Sequence, residues 1–298
     1  VGRPKVLEFD MTQLKAKLES GQYVVTSEIA PPKGPDLAEF LDKARIVKGR
    51  VVAVNVTDNQ RSIMRLSSLI ACECLLREGV EPIYQLACRD RNRLALQSDL
   101  LGAAAVGIKN VLPLTGDPVS NGDQKESKAV FDLNSVKLMS MIEKLNQGLA
   151  YNDKPLNGKT HFYVGGAVDP NNFGTDAFKF KFEQKIKNGA RFFQSQPLYD
   201  LKKGEQLFKY CEELGVKILI GVILIKSEKQ AEFLNKIPGI KIPPQVIQKF
   251  AGASDPLQVG IEYAAQEIRE LKPISHGVHV MTVGREELVP EILRRAGI

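Results

Sequence analysis

The chain has 298 residues, 43% of them hydrophobic, with a formal net charge of +6 and four cysteines. That is enough apolar material for a substantial core. Lysines and arginines are scattered among acids with no basic stripe interleaved with aromatics, which argues against a nucleic-acid partner. No apolar run reaches membrane-spanning length and the N-terminus shows no signal-peptide pattern, so no membrane partner and a cytoplasmic location are expected.

In chain order, short β-forming runs alternate with segments of helical periodicity. The predicted strands are Tyr23–Ile29, Val51–Thr57, Pro82–Cys88, Asn110–Thr115, His161–Val168, Arg191–Gln196, Lys217–Val222 and Gly277–Thr282. The predicted helices are Pro35–Val47, Arg61–Glu78, Asn92–Val106, Val136–Gly148, Thr175–Asn188, Lys202–Leu214 and Asp255–Leu271. The unit is clearest from Gln85 to Pro118, where Gly107 ends a helix and Thr115-Gly116-Asp117 follows the next strand. Eight β/α units in about 250 residues predict an α/β chain folded as one (β/α)8 TIM barrel domain. A doubly wound open sheet shares the alternation, and the count of strands separates the two. The polar stretch Ser120–Lys128 reads as an exposed loop, and Ile223–Ser275 as a long excursion holding at least two helices.

In parallel β/α proteins, chemistry collects at the C-terminal strand ends. Those ends here offer Glu28, Thr57 and Asp58 followed by Gln60, then Gln85, Thr115 and Asp117, Gln194 and Gln196, and Thr282 followed by Arg285. The set holds carboxylates, amides and an arginine, with neither an obvious nucleophile nor a catalytic histidine. Such a site donates a proton and orients a polar ring, and a cofactor carries the hard step. Pro31-Pro32 stiffens the exit from the first strand and holds Glu28 at the mouth, unless it is only a rigid connection. Gly165-Gly166 either lets a flat ring approach or fills the barrel interior. Cys72, Cys74, Cys88 and Cys211 match no metal motif and His161, His276 and His279 have no ligand spacing, so no metal is expected.

The chain resembles the methylenetetrahydrofolate reductases. The resemblance rests on Ser27-Glu28-Ile29-Ala30-Pro31-Pro32, Val54-Asn55-Val56-Thr57, Leu86-Ala87-Cys88-Arg89-Asp90-Arg91-Asn92, Gly107-Ile108-Lys109-Asn110, Leu114-Thr115-Gly116-Asp117, Gly189-Ala190 with Ser195-Gln196, and His279-Val280-Met281-Thr282 with Arg285. It implies flavin-dependent reduction of 5,10-methylenetetrahydrofolate to 5-methyltetrahydrofolate by a short, catalytic-domain form. Glu28 falls on the family's general acid. Asp117 falls on its aspartate between flavin and pterin. Gln196 and Arg285 fall on folate contacts. Thr57, Asp58, Gln60, Gln85, Thr115, Gly116, Asp117, Asp132, Ala167, Lys181 and Lys185 fall at or near flavin contacts, with Lys185 matching a phosphate partner. The implied cofactor is FAD, with FMN open.

The chain also departs from the common bacterial pattern. Gln85 stands where that form has histidine, Thr115 where it has arginine, and Phe178 where it has an acid, with Asp176 nearby. No aromatic ring lies in Ile225-Lys226-Ser227-Glu228, where the family stacks nicotinamide and folate. These changes leave the electron donor open between NAD(P)H and a redox partner such as a small iron–sulfur subunit, and leave self-association open. The rival readings are a flavin-free, folate-binding methyltransferase-type barrel and a non-catalytic subunit of a redox complex.

Overall fold

Val-, Ile- and Leu-rich runs buried along their whole length suit parallel strands that are covered on both faces. The computed structural model describes residues 11–298, so residues 1–10, where a targeting pattern is sought, lie outside it. Its strands are β1 (Val24–Ile29), β2 (Ala53–Val56), β3 (Pro82–Ala87), β4 (Asn110–Leu114), β5 (Tyr163–Val168), β6 (Phe192–Pro197), β7 (Lys217–Ile223) and β8 (Gly277–Met281). They close in sequence order into a parallel eight-stranded barrel, β8 pairing with β1. The helices are α1 (Gln13–Glu19), α2 (Ala38–Val47), α3 (Ser68–Arg77), α4 (Arg93–Ala105), α5 (Ser135–Asn146), α6 (Asp176–Lys187), α7 (Leu201–Glu213), α8 (Glu228–Leu234), α9 (Pro244–Gln248), α10 (Pro256–Leu271) and α11 (Val289–Ala296). The expected (β/α)8 barrel is present. None of the described helices is long and apolar enough to cross a membrane.

Strand side chains alternate in direction, so inward positions recur every second residue. That period builds the barrel interior in tiers. The floor is apolar: Val24, Ala53, Ile83, Leu112, Tyr163, Phe192 and Leu219 cluster with Leu14 and Leu18 of α1, which closes the bottom. Thr12 caps α1, and Glu81 accepts its Gln13 and Leu14 N–H groups at 2.7 and 3.0 Å. Two residues further along the strands the interior turns polar, with Thr26, Asn55, Gln85, Gln194 and His279 all buried. Two residues further again come Glu28, Thr57, Ala87 and Gln196, at the mouth. A larger core fills the space between strands and outer helices. A third, around Ile225, Leu234, Ile242 and Phe250, holds the excursion before β8 together.

One reading is corrected, and one left open is settled. The helix expected from Arg61 begins only at Ser68, because Asn59, Arg61 and Ser62 adopt left-handed backbone with φ of 43°, 57° and 59°. Residues 59–66 instead form a strap tied to its surroundings: Arg65 Nη1 donates to Pro31 O at 3.1 Å, and Leu66 N to Pro32 O at 2.8 Å. Gly165-Gly166 opens no space for a ligand. A Cβ on Gly165 would lie 2.4 Å from the Phe192 ring, and one on Gly166 2.7 Å from the Phe193 ring. Packing of those two phenyl rings accounts for both glycines.

Candidate functional site

Where β1 ends, Glu28 is partly buried at the mouth, and the exit beyond it is clamped at both proline carbonyls by the strap. The strand-end inventory contains no histidine, yet the structure places one here. His279 Nε2 stands 3.8 Å from Glu28 Oε2, in electrostatic contact though beyond hydrogen-bond length. The signal was the period of two: His279 registers with Thr26 across the β1–β8 seam, and both point inward. Behind them Gln194 and Asn55 exchange two side-chain hydrogen bonds, of 2.7 and 2.9 Å, across the barrel.

Asp117 follows β4 on the turn made by Gly116. That glycine has φ +97°, and a Cβ on it would lie 2.8 Å from Arg89 Cβ, so no other residue fits. The Asp117 carboxylate is exposed and accepts the Arg61 backbone N–H at 3.0 Å. The Arg61 guanidinium lies 5.4 Å over the Phe233 ring of α8. The strap thus reaches from the β4 turn to the excursion across the mouth. Asp123 holds the polar loop after β4 to it, accepting Met64 N at 3.0 Å and Lys33 Nζ at 3.1 Å.

The residues expected around a flavin fall mainly along two neighbouring grooves. One, of about 380 Å³, is lined by Thr115, Gly116, Asp132 and Lys137 between β4 and α5. The other, of about 400 Å³, is lined by Ala167, Asp169, Lys181 and Lys185 between β5 and α6. Lys185 donates to the carbonyl of Ala167, and burial together with nearby Lys181 pushes its ammonium down to about 8. That partner is a neutral carbonyl rather than a carboxylate, which leaves the charge of Lys185 for an anionic ligand. On the mouth tier Thr57 Oγ1 is buried without a hydrogen-bond partner. Gln85 is 8% exposed beneath it.

Three expected contacts are held by the protein itself. Asp58 is buried, accepting Ala87 N at 2.8 Å and pairing with Arg91 at 2.7 Å, so its carboxylate braces β2 against β3 rather than facing a groove. Asp132 stays in its groove, but its hydrogen bonds from Arg93 hold it well below the usual carboxylate range. Gln60 is exposed on the strap. Thr115 Oγ1 accepts the Ser135 N–H at 3.1 Å and so anchors the start of α5. Phe178 packs against Phe182 with ring centroids 5.4 Å apart, leaving Asp176 as the exposed acid of that turn. On the far rim Gln196 is exposed, and Arg285 is ion-paired with Glu287. An exposed pair of this kind contributes only about 0–1 kcal/mol, so a ligand carboxylate can displace it. Cys88 is fully buried, and burial pushes its thiol up to about 12.

A profile of the family described as methylenetetrahydrofolate reductase matches residues 13–297. A probable methylenetetrahydrofolate reductase (NADPH) of Caenorhabditis elegans is 23% identical over 99% of this chain, which spans 45% of that protein's length. The 5,10-methylenetetrahydrofolate reductases of Pectobacterium carotovorum and Escherichia coli are 24% and 23% identical, over 97% and 93% of this chain and 94% and 92% of their own lengths. Among solved structures, an EDTA monooxygenase from Chelativorans sp. BNC1 superposes with a TM-score of 0.58 at 10% identity, over 92% of this chain and 93% of that one. A tryptophan synthase from M. tuberculosis superposes with a TM-score of 0.53 at 11% identity, over 96% and 95%. These two likenesses concern the fold alone.

Proposed function

Because the chain belongs to the methylenetetrahydrofolate reductase family, we propose that it reduces 5,10-methylenetetrahydrofolate to 5-methyltetrahydrofolate, as one flavin- and folate-binding barrel. The observation that carries this reading is a carboxyl group, Glu28, held at the mouth against an imidazole, with a second carboxylate, Asp117, on the exposed turn after β4. One acid to give a proton and one to orient a heterocycle is the equipment the reaction needs.

The residues present fit a flavin. Lys185 supplies a partly buried cation to a phosphate, and Thr57 Oγ1 is a buried hydroxyl still lacking a partner. Thr115, Gly116, Asp132, Ala167 and Lys181 line the two grooves that would hold it. FAD is the proposed cofactor, FMN the alternative. When bound, it supplies the hydride. Glu28 gives its proton to the substrate's ring nitrogen as the imidazolidine C–N bond breaks, leaving an iminium carbon ready to be reduced. The N–H of His279 then faces the carboxylate that remains. Asp117 accepts hydrogen bonds from the pterin amino and amide N–H groups in place of Arg61 N. Arg285 suits a carboxylate of the folate tail, and Gln196 an amide or carbonyl beside it.

We assign electron delivery to a redox partner, such as a small iron–sulfur subunit, rather than to NAD(P)H. Segment 225–228 has no ring, and the Arg61 guanidinium lies over the ring of the nearby aromatic Phe233. The four cysteines are free, which fits a cytoplasmic enzyme. The direct test is the visible spectrum: the purified protein should be yellow, with about one non-covalent flavin per chain. A folded preparation that neither contains nor binds FAD or FMN would overturn the reading.

A further inference from the structure

We infer that Gln194 is a positioning residue that fixes which ring nitrogen of His279 carries its proton, so that an N–H faces Glu28. The inference rests on the reductase reading for its use, but not for its structural content. Gln194 and His279 are 4% and 5% exposed, and Thr26 and Asn55 are fully buried, so the arrangement lies inside the barrel.

The chain of donors runs in one direction. Asn55 Nδ2 donates to Gln194 Oε1 at 2.7 Å, and Gln194 Nε2 donates back to Asn55 Oδ1 at 2.9 Å. This reciprocal pair turns the second N–H of Gln194 towards Thr26 Oγ1, 3.0 Å away, and His279 Nδ1, 3.3 Å away. A Thr26 oxygen that accepts from Gln194 keeps its own O–H to give to His279 Nδ1, at 3.0 Å. The Gln194 NH2 beside Nδ1 has no lone pair to receive a proton from it, so with Thr26 giving its O–H only donors face Nδ1. In a neutral imidazole the proton therefore sits on Nε2, the atom 3.8 Å from Glu28 Oε2. Reversing both amides would place Gln194 Oε1 against Nδ1 and turn the Nε2 lone pair towards Glu28. Once Glu28 has given its proton, that lone pair would meet a carboxylate, a repulsion the first arrangement avoids.

The side-chain hydrogen bonds of Gln194 and Asn55 run within the buried polar tier, and unpaired both would be costly buried amides. Paired with each other, they act as a two-residue clamp on the histidine tautomer.

The test is ¹⁵N NMR of histidine-labelled protein at a pH where the rings are neutral, with His279→Gln used to assign the signal. The chain has three histidines. His276 serves as an internal reference: its Nδ1 accepts Ile218 N–H at 3.1 Å and its Nε2 meets Glu212 at 2.6 Å, so it too should carry its proton on Nε2. In the wild type, His279 should show the same pattern as His276. In Gln194→Met it should move towards the Nδ1–H form while His276 stays fixed. The double variant Asn55→Leu with Gln194→Met removes both amides, leaves no orphan, and guards against a folding defect. In a flavin-loaded sample, the pH profile of reoxidation by methylenetetrahydrofolate should shift, with a rate loss smaller than the roughly 10²–10⁴-fold of an acid itself. A wild-type Nδ1–H signal, or an unchanged His279 pattern in both variants, would overturn the assignment whether or not the protein is a reductase.

Discussion

Thr26 and His279 are separated by 253 positions in sequence and by 3.0 Å in space. Their contact seals the seam where the last strand meets the first, and Glu28 stands two residues along β1 from Thr26. Closure of the barrel is therefore what brings the acid and the imidazole together. Loss of β8 pairing should abolish the site without touching Glu28 itself.

Lys185 should govern flavin affinity. A charge-assisted hydrogen bond is worth about 1.5–3 kcal/mol, so Lys185→Met should weaken binding roughly 10–100-fold. An anion favours the protonated amine, and burial has lowered that amine to about 8 in the free protein. Affinity should therefore be highest below pH 8 and decline above it, where binding must take up a proton. Fluorescence titration of the apoprotein with FAD and FMN across pH checks both points. Equal affinity in the variant would remove Lys185 from the phosphate site.

Asp117→Asn should weaken folate binding and raise the flavin potential, because removing a nearby negative charge favours the anionic reduced form. Spectroelectrochemical titration of the two proteins decides it. An unchanged or lower potential would mean that Asp117, which the Arg61 N–H already engages, does not face the flavin.

Away from the mouth, Glu267 of α10 is buried with Oε2 unpartnered, and burial raises its carboxyl well above the ordinary value despite a hydrogen bond from Tyr263. A carboxyl raised on folding contributes stability that is complete below the unfolded value, about 4.3, and is lost as pH rises through the folded one. Glu267→Gln should thus stabilise the protein by about 1 kcal/mol or more at pH 9, where keeping this carboxyl buried costs the wild type most, and by less at pH 5. Thermal melts at the two pH values test the difference. A gain that is the same at both would contradict it.

Much of the architecture was legible because its cause is local. Alternation of apolar runs with amphipathic segments predicts all eight strands, as at Pro82–Ala87, where the observed strand stops one residue short of the expected end. What was not legible depends on closure or on partners distant in sequence. Helix α1 has only seven residues, too few for a periodic signal, and earns its place by plugging the floor. Asp58 looks like a ligand contact until Arg91 is seen against it. The direction of His279 follows from the strand period, but its meeting with Glu28 needs the β1–β8 register. The left-handed run at Asn59, Arg61 and Ser62 breaks a helix that apolar spacing alone would begin too early.

The electron source should show in the nucleotide response. Base–aromatic stacking, worth about 1–3 kcal/mol where measured in nucleic-acid binding, is not offered by segment 225–228. Flavin reduction by NADH or NADPH alone should therefore be slow or absent, with turnover restored by a reduced viologen or a redox partner subunit. Anaerobic stopped-flow mixing with each nucleotide is the check. Bleaching at rates typical of turnover, about 10 s⁻¹, would make a partner unnecessary.

The central claim is that Glu28 protonates the folate while a bound flavin reduces it, and rapid mixing of the chemically reduced protein with methylenetetrahydrofolate tests it most directly. Wild-type flavin should reoxidise with formation of 5-methyltetrahydrofolate. Glu28→Gln should keep its flavin and its reduction by an artificial donor, yet reoxidise at least about 10²-fold more slowly, the lower end of what a general acid contributes. A Glu28→Gln protein reoxidised by the folate at the wild-type rate, or a wild-type flavin that the folate does not oxidise at all, would contradict the account.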